Sequence, residues 1–73
     1  VAKGETMTKM QLVEAILERE TDKVGRVTDP EWLEGGSILR GTYEYRGDAG
    51  VVYRPFFLAQ YAYEICVYWR TSQ

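Results

Sequence analysis

The sequence predicts an α+β domain: one N-terminal amphipathic helix and a short helical turn packed on a three-stranded antiparallel β-meander. Three observations lead there. Apolar residues recur at helical spacing between Met10 and Leu17. From Ser37 onward apolar and polar residues alternate, and aromatic and β-branched residues gather. Glycines and prolines punctuate the chain between and within these regions.

The helix comes first. Thr8, with Gln11 three residues later, has the form of a capping box. Met10, Val13 and Leu17 make a stripe, with Leu12 and Ile16 beside it, while Glu14, Glu18, Arg19 and Glu20 take the wetter side. No Gly or Pro interrupts residues 8–24, so the helix should run from about Lys9 to Glu20. Residues 1–6 read as a polar, flexible lead-in, and Met7 as a candidate natural start. Residues Met7–Ile16 resemble the opening helix of bacterial histone-like proteins. The resemblance ends there, and no basic DNA-embracing arm follows.

Residues 21–28 read as a connection, with a short extended piece at Val24–Thr28. Asp29 then suits an N-cap and Pro30 a first helical position, and the pair Gly35-Gly36 would end a single helical turn. On it, Trp32 and Leu33 are expected to plug the core edge; the functional reading of Trp32 is a binding anchor.

The remainder is strand-rich. Between Ser37 and Arg46, Leu39, Gly41, Tyr43 and Tyr45 alternate with Arg40, Thr42, Glu44 and Arg46. Arg46-Gly47-Asp48-Ala49-Gly50 is a turn. Val51–Leu58 is a second strand, which Pro55 should make an edge, a bulge or a break. Ala59–Trp69 alternates again and is read as the third strand; helical spacing of Phe57, Tyr61, Ile65 and Tyr68 competes, and β-propensity decides for the strand.

The chain has 73 residues, room for one domain spanning 1–73. A chain this short buries roughly 60 % of its unfolded surface. Its total stability should be about 4–11 kcal/mol. One Cys allows no internal disulfide, which points to a reducing compartment, read as cytoplasmic, or to redox being irrelevant. The apolar runs are too short for a membrane span. With no His, the chain lacks the commonest general base and metal ligand, and one Cys cannot build a structural zinc site. The seven glycines form no phosphate-binding loop. No metal, cofactor or catalytic residue is therefore expected, and the reading is non-enzymatic. Paired carboxylates such as Glu44 and Glu64, one on each of two strands, are what an enzyme reading would have to use.

Three features bear on function. Arg46-Gly47-Asp48 sits at a hairpin tip as in integrin ligands, yet any tight turn favours its Gly and Asp. Glu14, Glu18, Glu20 and Asp22 make an acidic helix region, which a solvated face explains. The third feature carries most weight. Residues 35–73 hold nine of the ten aromatics and four arginines but no lysine. Six tyrosines exceed what one small core can bury with every hydroxyl satisfied. Some belong at a surface, and Tyr, Trp and Arg are favoured at protein interfaces. Cys66 reads as a small buried filler.

These residues point to an interaction module, a regulator or inhibitor that binds another protein or a second copy of itself. Arg40, Tyr53, Arg54, Tyr68, Trp69 and Arg70 are the expected partner-binding residues, on a sheet face or edge the helix leaves open. The alternative is single-stranded nucleic acid stacked on Tyr and Arg. A net charge of −2 counts against it, because phosphate neutralisation needs clustered cations.

Overall fold

Helix α1 spans Lys9–Thr21 and begins as its sequence prescribes. In this computed structural model, which describes residues 8–70, the Gln11 amide donates to the Thr8 hydroxyl at 3.1 Å and the Thr8 amide to the Gln11 side chain at 2.9 Å. Both halves of the capping box are present. The helix stops at Asp22, whose left-handed backbone (φ 60°) turns its N–H onto the Glu18 carbonyl at 2.7 Å. The expected lead-in at residues 1–6 lies outside the described residues.

Four antiparallel strands follow in the order β1-β2-β3-β4: β1 (Gly25–Leu33), β2 (Ile38–Gly47), β3 (Gly50–Tyr61) and β4 (Glu64–Trp69). The α+β class holds, but the meander has four strands rather than three. The extra strand is β1, made from residues read as a connection and a helical turn. Only Glu34–Gly36 is helical, as one 3-10 turn. The reason is a competition that the helix loses. Four residues separate Pro30 from Gly35, too few to offset helix nucleation. Meanwhile β2 offers Glu31, Trp32 and Leu33 partners in Arg40, Leu39 and Ile38. Asp29 and Pro30 become an irregularity within β1, where the register shifts between Thr28 and Glu31 and Asp29 takes φ 52°. Aspartate is among the few residues that tolerate this region.

The expected third strand, Ala59–Trp69, is two pieces. Strand β3 runs on to Tyr61, and the chain reverses through Ala62 and Tyr63 so that Glu64 pairs with Tyr61. Reversal supplies a ladder that a longer single strand would lack. At the other tip, Asp48 and Ala49 link Gly47 to Gly50, and Gly50 takes φ 127°. Pro55 neither breaks β3 nor puts it at an edge: it pairs with Thr42 inside the sheet. Its effect falls on β4. The Pro55 carbonyl accepts from the Arg70 N–H at 2.8 Å, but proline has no N–H to return, and the β3–β4 pairing ends at Phe56 and Trp69.

The core lies between α1 and one sheet face. Val13, Ile16 and Leu17 pack on Leu39, Tyr43, Phe56 and Leu58, with Met10, Val27, Tyr45, Val67 and Trp69 at the margin. Leu12, although on the apolar side by spacing, is half exposed. Trp32 lies at the rim on the helix side, still 39 % exposed, with the Lys9 ammonium 4.5 Å from its ring centre, while Leu33, expected beside it at the core edge, alternates onto the opposite sheet face. Two polar ties fix the helix. The Tyr43 hydroxyl donates to the Lys23 carbonyl at 2.7 Å, and the Glu14 carboxylate accepts the Val27 N–H at 3.0 Å. Gly25 is required where β1 enters the sheet, since a Cβ there would lie 2.3 Å from the Glu44 carbonyl oxygen.

Candidate functional site

The sheet face away from α1 is the candidate site. Strand alternation and register together decide its membership. Leu39, Tyr43, Phe56 and Leu58 point at the helix, so their chain neighbours point the other way. The open face forms transverse rows. One runs Glu31, Arg40, Phe57, Tyr68 across all four strands, and another Arg26, Glu44, Tyr53 across three. Between them lie Thr28, Thr42 and Pro55, with Arg70 beside Pro55.

Aromatic rings on this face remain in water. Tyr53 is 60 % exposed and Tyr68 50 % exposed. The Arg70 guanidinium lies 5.2 Å from the Phe57 ring centre, which covers part of that ring with a cation. Two ion pairs lie across strands: Arg40 with Glu31, and Arg26 with Glu44 at 3.4 Å. Such exposed pairs contribute little stability, about 0–1 kcal/mol each, but they set a carboxylate beside two of the arginines, Arg26 and Arg40. The face carries four arginines (26, 40, 46 and 70) against three glutamates (31, 44 and 64). Cys66 lies next to Tyr68 on this face and is half-buried. The neighbouring Cys66 thiol holds the Tyr68 phenol above the ordinary tyrosine value.

Of the six expected partner-binding residues, Arg40, Tyr53, Tyr68 and Arg70 come together here. Arg54 and Trp69 do not. They lie on the helix side, where the Arg54 guanidinium sits 4.1 Å from the Trp69 ring centre and Trp69 meets Phe56 edge-on at 6.1 Å. There they close the open end of the core. Sequence reasoning missed Arg26, Glu31 and Phe57. Phe57 shares the parity of Tyr53 and was within reach of the alternation. Arg26 and Glu31 were not, because only the pairing of β1 with β2 puts them on this face.

Glu44 and Glu64 share the face but pair with Tyr53 and Tyr61, eight residues apart on β3. At about 3.3 Å per residue that is roughly 26 Å, too far to act on one bond. Among the described residues no three His, Cys, Asp or Glu side chains gather as a metal would need, and no helix is long and apolar enough to cross a membrane. The Arg46-Gly47-Asp48 segment runs into the β2–β3 turn, where Gly47 pairs with Gly50. Compared with known proteins, the chain matches no family model, no curated protein and no solved structure.

Proposed function

We propose that this chain is a small non-enzymatic interaction module that binds a larger protein through the open face of its sheet, as a regulator or inhibitor. One observation carries the reading. Among the described residues a helix covers one face of the antiparallel sheet only, and the other face presents Tyr53, Phe57 and Tyr68 among arginines. Tyr and Arg anchors dominate binding energy at protein interfaces: Tyr combines a large apolar ring with a polar tip and few rotors, and Arg offers a planar, five-donor guanidinium. Their position on strands rather than loops means little ordering entropy is lost on binding. The mixed charge favours a protein over a nucleic acid. Glu31 and Glu44 sit against Arg40 and Arg26, so a phosphate backbone would meet carboxylates along with each of those guanidinium groups.

The test is affinity capture with the wild-type chain and with Tyr53→Ala and Tyr68→Ala, with and without nuclease. The reading requires one protein retained at fixed stoichiometry after nuclease and released by either substitution. A loss of about 2 kcal/mol, roughly thirtyfold in Kd, is expected for an anchor. Circular dichroism should be unchanged, since both side chains are exposed. Recovery that collapses on nuclease treatment would replace this reading with single-stranded nucleic-acid binding.

A further inference from the structure

The two edges of the sheet are finished differently. Strand β1 is blunted three times over. Its Val27 N–H, which faces away from β2, is taken by Glu14 of the helix. Its middle is distorted at Asp29, and Pro30 has no N–H to offer. These are the devices by which sheets avoid edge pairing. Strand β4 has none of them. Its sequence, Glu-Ile-Cys-Val-Tyr-Trp, lacks Pro, Gly and Lys, and no register shift interrupts its pairing with β3. The bond from the Arg70 N–H to Pro55 sets which backbone groups face inward. By alternation, those of Ile65, Val67 and Trp69 face outward, and no described residue bonds them.

We infer that the chain self-associates through β4, two copies pairing antiparallel about a two-fold axis at Val67 to make one continuous eight-stranded sheet. This register uses all three outward residues. Val67 meets Val67 of the second copy, and Ile65 meets Trp69, giving about six backbone hydrogen bonds. It also solves the charges. Each Glu64 falls opposite an Arg70 of the second copy, twice per dimer and on the same open face. A shift of one hydrogen-bonding step loses both charge pairs and leaves Trp69 opposite the turn residue Tyr63. Self-complementarity about a two-fold is what an isologous interface needs. Assembly stops at two because the far edge of each copy is the blunted β1. The inference does not depend on the protein partner proposed above; the open faces of the two copies would form one larger platform.

Sedimentation equilibrium on the wild-type chain, Glu64→Arg, Arg70→Glu and the double exchange tests this. One six-residue edge buries less than a standard interface, so a Kd at or below about 100 µM is expected rather than nanomolar pairing. Each single reversal places like charges opposite each other twice and should raise Kd about tenfold or more. The double exchange should return it to within about threefold of wild type, since it restores both pairs. Glu64 and Arg70 are exposed, so the fold should tolerate every variant, with circular dichroism as the control. A second readout fixes the register. Cys66 should face Tyr68 of the second copy, so Tyr68→Cys should oxidise to a covalent dimer while the wild type, with Cys66 alone, should not. A wild-type chain still monomeric at about 1 mM overturns the inference. So does a dimer indifferent to the single reversals, or one that the double exchange fails to restore.

Discussion

At the residue scale, Tyr43 shows how one side chain serves two purposes. Its ring is fully buried in the centre of the core, and its hydroxyl reaches past the helix end to the Lys23 carbonyl. Burial, reinforced by the Glu18 and Glu14 charges, raises its pKa above 10.0, although the nearby Gly25 backbone and Thr21 hydroxyl oppose the shift. The folded chain therefore holds this proton at pH values where the unfolded chain has released it. The resulting stabilisation is complete below the unfolded pKa and is lost as pH rises from 10.0 through the higher folded value. Tyr43→Phe should cost about 1 kcal/mol at pH 7 from the lost hydrogen bond. Above pH 10 the gap between the two proteins should narrow, and urea titrations at pH 7 and pH 10.5 would measure this. A gap that widens with alkali would mean the phenol is already ionised in the fold. The sequence identified Tyr43 as an inward residue of its strand, but nothing in it located Lys23 as the acceptor twenty positions away.

At the element scale, legibility followed the range of the forces involved. The helix was legible because the capping box joins residues three apart and the stripe recurs within one helix. Strand β2 was legible because its alternation is long and uninterrupted. Asp29-Pro30 misled because its local chemistry favours a helix start, whereas the partner that outbids it, β2, lies ten residues on. The β3–β4 turn misled for the opposite reason. It lacks the Asn-Gly or Gly signal that tight hairpins favour, and Ala62 is held at φ 53° by the pairing on either side. A Cβ in that region carries a steric cost that glycine avoids. Ala62→Gly should therefore stabilise the domain by about 0.5–1 kcal/mol, a rise of roughly 3–6 °C in melting temperature, readable by calorimetry. A lower melting temperature would show that Ala62 is not strained there.

At the scale of the whole molecule, a single helix is the only cover on the sheet among the described residues, so the core hangs on a few side chains. Leu17 is fully buried, and Val13 and Ile16 are the other buried residues of the helix. Leu17→Ala should cost about 3–4 kcal/mol, a large share of the roughly 4–11 kcal/mol available to a chain of this length. Urea unfolding should show the midpoint fall with little change in slope. A loss under about 1 kcal/mol would mean that the helix docks more loosely than its buried contacts indicate. The same thin architecture leaves the second sheet face bare, and there Arg40, Tyr53, Tyr68 and Arg70 meet while Arg54 and Trp69 turn away. The sequence by itself determined the class, the capped helix, the continuous strand β2, the first hairpin and the surplus of aromatic and arginine side chains, because those features rest on residues within a few positions of one another. Only the tertiary structure decided the fourth strand, the second hairpin and which candidates share a face. Each depends on strand register, and a register is a pairing between distant segments in which a shift of one residue sends every side chain to the opposite side of the sheet.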